Sequence, residues 1–352
     1  MLNFRPIFKI HWRLLSREKS GLSQLRLLHQ LTTPLWKNLP KQRGKALASS
    51  QGRRLRRCAE IANKLSARRN TAMMRERLSE DRKQFLADLA AEVVAGYSAT
   101  PPIQPEKIAR ANHLTMSFGH YGDTFDGMLE CKAGRFHIFC NLDRVERPES
   151  PRGRFTLGHE LGHYYIDEHR NALAAGVCPA HPSQCEYKSA NLVEQEADFF
   201  AGRLLMPERA FRTRAQRSPR GLAGIMPLTE TFRTSATSTA IRYAELDLFP
   251  CAVIKWNPDG FGWKWLSTET FRARYRKTVE RLSDVAEDSA TARAIRGELP
   301  PQSGFFENGS TAAAWFKWVA DDSYRNVIFI EQAVSLGRFG ALTFLFPETG
   351  AF

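Results

Sequence analysis

Apolar residues first recur at helical spacing at Phe85, Leu86, Leu89, Ala90, Val93 and Val94, which predicts an amphipathic helix. Pro101 and Pro102 break the chain after it. Ile108 and Ala109 suggest a second, short helix before a turn at Asn112. Runs at 114–118, 128–131 and 136–141 read as short strands, with Gly119, Gly122, Gly127 and Gly134 supplying turns. A charged, proline-containing loop is expected over 143–154, then a helix over about 155–167. After a loop with Gly176, Pro179 and Pro182, a strong helix is expected over about 192–205, ended by Pro207.

Further along, a helix is expected around 235–246. Runs at 251–256 and 261–266 flank Asn257, Pro258, Asp259 and Gly260, a strong hairpin signal. A helix near 271–285, a break at Pro300 and Pro301, and apolar runs at 327–330 and 342–346 complete the pattern. The class is α+β. Four segments are expected: an extension (1–72), a main domain (73–223), a helical unit plus hairpin (224–268) and a smaller C-terminal α+β region (269–352).

Charge changes the picture at one end only. The net charge is +14, yet residues 1–70 hold 17 Lys and Arg against two acids, Glu18 and Glu60. The remainder carries 34 basic and 35 acidic side chains, so it has no global basic bias. Three readings of 1–72 stand: a poorly ordered solvated extension, a start assigned ahead of Met73 and Met74, or an arm for nucleic acid or a membrane surface. No uncharged apolar run of about 18 residues exists, so no membrane-spanning helix is expected. Six scattered cysteines do not make a disulfide scaffold, and a reducing cytoplasmic compartment fits best. Cys178 and Cys185 bracket His181, but a structural metal there would need a fourth ligand.

The chemistry gathers in the segment RFTLGHELGH, residues 154–163. On a helix, His159 and His163 fall on one face and can bind one Zn²⁺ at about 2.0–2.1 Å each. Glu160 projects beside them, where it can take a proton from a zinc-bound water whose pKa is lowered towards about 7. This is the HExxH arrangement of a metalloprotease. Phe155, Leu157 and Leu161 indicate a largely buried helix, and buried histidines need partners. Gly158 and Gly162 each cost about 1 kcal/mol of helix propensity, which is tolerable if something must approach closely.

A catalytic zinc site needs a third protein ligand. In the helix at 192–205 the apolar stripe is Val193, Ala197, Phe200, Ala201 and Leu204, with Glu194 and Asp198 at its edge. Glu194 is the expected third ligand, with Glu196 on the opposite flank as the alternative. Asp198 can accept the other ring N–H of a ligating histidine. His169 is read as a surface residue or an outer contact of the site. Tyr164, Tyr165, Tyr243 and His181 are candidates for stabilising an oxyanion.

The two motifs together, RFTLGHELGH and ExxADxFAxxLLMP about thirty residues apart, resemble the ImmA/IrrE family of metallo-endopeptidases. The resemblance covers roughly residues 80–265. It implies a thermolysin-like zinc fold, a small sheet beside the HExxH helix followed by the glutamate helix. It also implies His159, His163 and Glu194 as ligands, Glu160 as general base, and a helix-turn-helix repressor as protein substrate. Gly158 stands where alanine is commoner, and the cysteine-containing insert between the motifs is longer. Residues 232–243 are similar to half of a helix-turn-helix, read here as structural. The competing function is a non-proteolytic zinc-containing regulator that binds a repressor or DNA.

Overall fold

The structure, a computed structural model, describes residues 78–97, 100–176, 180–183 and 191–348. The expectations for 1–72, for Cys178 and Cys185 and for the His181 side chain lie outside the described residues.

Helix α1 (Glu80–Tyr97) turns Leu86, Ala90, Val93 and Val94 inward, as its spacing predicts, and α2 (Pro105–Ala111) follows. Strands β1 (Thr115–Gly119), β2 (Gly127–Lys132) and β3 (Arg135–Asn141) form a sheet with a fourth strand, β4 (Ala180–Ser183). The order is β1-β3-β2-β4; β1 runs parallel to β3 and the other pairs are antiparallel. The expected loop around Pro182 is thus an edge strand, a position where a proline removes no ladder bond that the sheet needs.

The expected loop at 143–154 is mostly helical. A short α3 (Leu142–Val145) is followed by α4 (Pro151–Tyr165). Helix α4 starts four residues earlier than expected because Ser150 caps it, accepting from Gly153 N, and Pro151 occupies its first position. Arg144 and Arg152 both reach the buried Asp126, at 2.9 and 2.8 Å, which ties the entry of β2 to the first turn of α4. Then come α5 (Asp167–Ala174) and α6 (Leu192–Leu205), the latter capped by the Asn191 side chain. One core joins these elements: Leu129, Ile138 and Cys140 of the sheet meet Leu157 and Leu161 of α4 and Phe200 and Leu204 of α6. Each leucine fully buried there contributes roughly 1.5–3 kcal/mol.

The helices α7 (Glu208–Ala215), α8 (Leu222–Phe232) and α9 (Ala236–Glu245) lead to the hairpin β5 (Ala252–Asn257) and β6 (Gly260–Leu266). Its strands join β8 (Phe306–Thr311), β10 (Ile328–Ser335) and β11 (Ala341–Pro347) in a five-stranded sheet of order β6-β5-β11-β10-β8. The sheet is covered on both faces. Val253, Leu342 and Phe344 face α8 and α9, while Ala252, Ile254, Trp256 and Leu345 face a further core with Phe271 and Tyr275. Burial on both sides explains why these strands read as continuous apolar runs.

The helix expected over 271–285 is a correction. Only α10 (Glu269–Arg274) forms, and the chain continues as β7 (Tyr275–Thr278) paired with β9 (Phe316–Val319). Phe271, Tyr275 and Val279 have helical spacing, yet all three are buried in one core through a strand, with Arg276 and Lys277 turned outward. Arg242 is buried; its Nε donates to Met206 O at 3.3 Å. Burial, then the neighbouring Arg203, pushes its guanidinium down to about 9. It is a structural residue of α9 and presents no surface for nucleic acid.

Candidate metal centre

Helices α4 and α6 pack side by side because the former is glycine-rich on the shared face. A Cβ at Gly162 would lie 3.1 Å from Ala197 Cα and 3.2 Å from Ala197 O, whereas one at Gly158 would lie 3.4 Å from the Ala201 methyl. This close approach brings the two helices' polar residues together within the core. His159, His163 and Glu194 are all buried, and one donor atom from each lies within 4.8 Å of the others.

His159 Nε2 and His163 Nε2 are 3.0 Å apart; the first lies 3.4 Å from Glu194 Oε2 and the second 3.4 Å from Glu194 Oε1. Two ligand atoms at about 2.0–2.1 Å from a tetrahedral zinc are separated by about 3.3–3.4 Å. Two imidazole nitrogens and a carboxylate are also the donor types zinc accepts. The residues therefore fit a zinc ion.

Each histidine is held from behind. His159 Nδ1 meets Asp198 Oδ1 at 2.8 Å, which leaves Nε2 facing Glu194. Burial raises the Asp198 carboxyl above its ordinary value, and the hydrogen bond with His159 opposes the rise. His163 Nδ1 meets His169 Nδ1 at 3.1 Å. His169 is buried, so its reading as a surface residue is corrected; it is an outer contact of the site. Its Nε2 lies 3.1 Å from Glu196 Oε2.

Glu196, the alternative third ligand, is directed away from the histidine pair. Its oxygens accept from Arg82 Nε at 2.9 Å and from the second guanidinium nitrogen at 2.6 Å. Burial alone would push the Glu196 carboxyl up, but His169 and Arg82 more than offset this and hold it below the usual value. Burial likewise opposes the charge on Arg82, and Glu196, then Glu168, reinforces it.

Glu160, next to His159 in the chain, is fully buried against strand β2. A Cβ at Gly127 would sit 2.6 Å from Glu160 Oε1 and 2.5 Å from Thr156 Cγ2. The missing Cβ lets the strand pass close to the carboxylate. Three of the oxyanion candidates are tyrosines, and their rings pack in the core. Tyr243 is packed against Phe249 and Phe344, Tyr165 stacks on Phe200 with its hydroxyl accepting from Asn112, and Tyr164 packs edge-on against Phe136.

Sequence reasoning missed Arg82 and Gly127 and placed His169 only loosely. Arg82 lies 114 positions before its partner, and no local pattern links the two. His169 opens the helix next to its partner, six residues on, which was the available signal.

Residues 146–243 match the family model Peptidase_M78, described as the IrrE N-terminal-like domain. The match spans both motifs and less than half of the chain; helix α1 and the strand bearing Gly127 lie outside it. A solved Mycobacterium tuberculosis transcriptional regulator is similar at 13% identity over 77% of this chain and 92% of that one, with a TM-score of 0.48. No curated protein matches the chain.

Proposed function

We propose that this chain, which carries an IrrE N-terminal-like domain over residues 146–243, is a zinc-dependent endopeptidase acting on a protein substrate. The observation that carries the reading is the convergence of the buried His159, His163 and Glu194, with Glu160, the residue after His159, buried as well. His159, His163 and Glu194 would hold the ion, with Asp198 orienting the His159 ring. The fold that goes with this reading is thermolysin-like, a small sheet beside the HExxH helix followed by the glutamate helix. Zinc bound there supplies a Lewis acid for the scissile carbonyl and lowers the pKa of water towards about 7.

The remaining work falls to the chain. Glu160 accepts the proton of the attacking water on its carboxylate and delivers it to the leaving amine nitrogen. Burial in the core keeps bulk water from competing with these transfers and strengthens each charge interaction. Gly127, with no Cβ, leaves room for the carboxylate against strand β2.

The substrate class rests on the resemblance of the motif pair to ImmA/IrrE proteins: a helix-turn-helix transcriptional repressor, met in the cytoplasm. Among the described residues no helix is long and apolar enough to cross a membrane. A second reading, a non-proteolytic zinc-containing regulator of a repressor or of DNA, is motivated by the basic residues 1–70. The test compares newly formed protein N-termini in cells expressing wild type or Glu160→Gln at matched levels under stress. A cut inside a helix-turn-helix repressor, present only with wild type, is the expected result. If Glu160→Gln preserves the cellular phenotype and deletion of 1–72 abolishes it, the second reading replaces the first.

A further inference from the structure

We infer that His169, Glu196 and Arg82 form a positioning relay that fixes the proton of His163 and thereby sets the affinity of the metal centre. The inference rests on the zinc reading above. A neutral imidazole that offers Nε2 to a metal must carry its proton on Nδ1. The His163 Nδ1–H then donates to His169 Nδ1, 3.1 Å away. That assignment leaves the His169 proton on Nε2, from which it is donated to Glu196 Oε2 at 3.1 Å. Glu196 accepts, and also receives two N–H donors from Arg82 at 2.9 and 2.6 Å. Once Nε2 of His163 is committed to the metal, each link has one direction.

The two histidines of the motif are thus held differently. A carboxylate touches His159 directly, through Asp198, while the carboxylate serving His163 stands one imidazole further out. His169 and Glu196 are buried, so water does not readily replace a lost partner. Arg82 closes the outer end, with its side chain 24% exposed. It belongs to α1, which lies outside the family match, so the centre is completed by an element that the matched domain does not contain.

The test measures the zinc affinity of the full chain by competition with a chromophoric chelator, for wild type, His169→Leu, His169→Asn and Arg82→Gln. Asparagine keeps an acceptor oxygen near the place of Nδ1; leucine keeps apolar volume and no acceptor. The relay predicts zinc weakened about 10- to 100-fold in His169→Leu, roughly 10-fold in Arg82→Gln, and about 3-fold in His169→Asn. A packing role alone predicts the opposite order for the two His169 variants. Nitrogen-15 shifts of the zinc-loaded wild type should place the protons on His163 Nδ1 and His169 Nε2. Equal affinities in all variants, or a His169 proton on Nδ1, overturn the relay and leave the zinc reading standing. A wild-type chain that takes up no zinc overturns both.

Discussion

Gly158→Ala and Gly162→Ala, made one at a time, should change stability in opposite directions. Both residues lie inside α4, where glycine costs about 0.8–1.0 kcal/mol relative to alanine. At Gly158 the new methyl group meets the Ala201 methyl at 3.4 Å and Leu205 Cγ at 3.8 Å, which is ordinary contact. Most of the propensity gain is kept, so this variant is stabilised by roughly 0.5–1 kcal/mol. At Gly162 the methyl group meets the backbone of α6, Ala197 Cα at 3.1 Å and its carbonyl oxygen at 3.2 Å, besides Phe200 at 3.3 Å. A helix backbone yields less easily than a side-chain tip, and overpacking costs about 1–3 kcal/mol. The net change at Gly162 is a loss of roughly 0–2 kcal/mol after the propensity gain is subtracted. The assay is thermal unfolding followed by circular dichroism, with a chelator present so that metal contributes nothing. In a unit of 150–250 residues, 1 kcal/mol moves the Tm by about 2–4 °C. Gly162→Ala should also weaken zinc, because Ala197 lies between Glu194 and Asp198 on the helix it displaces. A Gly158→Ala variant destabilised as much as Gly162→Ala would refute the reasoning that glycine contact sets the helix spacing.

Gly127→Ala drives a methyl group to within 2.6 Å of Glu160 Oε1, so it should reduce cleavage at least 10-fold by order of magnitude while zinc content by metal analysis stays at the wild-type level. Zinc supplied at about 100 times its Kd should raise the unfolding free energy by about 2.7 kcal/mol, and Glu194→Ala should lose that increment in a denaturant titration. Glu331 accepts from Thr291 N at 2.7 Å in the five-stranded sheet, and burial raises its carboxyl above 4.5. Its folded form therefore binds the proton more tightly than the unfolded chain, and its contribution to stability falls as pH rises from 4.5 through the raised value. Unfolding midpoints of wild type and Glu331→Gln, compared between pH 4 and 7, should shift in favour of the variant as pH rises; a constant difference would contradict the assignment.

The parts of the fold that were legible in the sequence are those where local pattern and tertiary demand agree. The α6 limits, 192–205, follow from an apolar stripe and Pro207, and the structure adds an Asn191 cap. The short strands around Met128 and Ile138 and the turn at Asn257–Gly260 were equally readable. The stripe on α6 also put Glu194 and Asp198 at its edge, able to face the interior; in the structure Glu194 lies with His159 and His163, and Asp198 meets His159. The failures lie where partners distant in sequence decide. Phe271, Tyr275 and Val279 fit a helical period, but pairing with β9 makes a strand. The pairing of the hairpin with β11, nearly ninety positions on, has no local signal. The outer contacts of the centre, Arg82 through Glu196 to His169, depend on α1 lying along α6, and no motif encodes that docking.

The most direct test of the central claim is a paired measurement on purified protein. Zinc content and cleavage of a diverse peptide library are determined for wild type, Glu160→Gln and His159→Ala. The account predicts one zinc per chain and cleavage for wild type, zinc without cleavage for Glu160→Gln, and neither for His159→Ala. Cleavage retained by zinc-loaded Glu160→Gln would contradict the role given to that carboxylate, and cleavage by a zinc-free chain would contradict the metal centre itself.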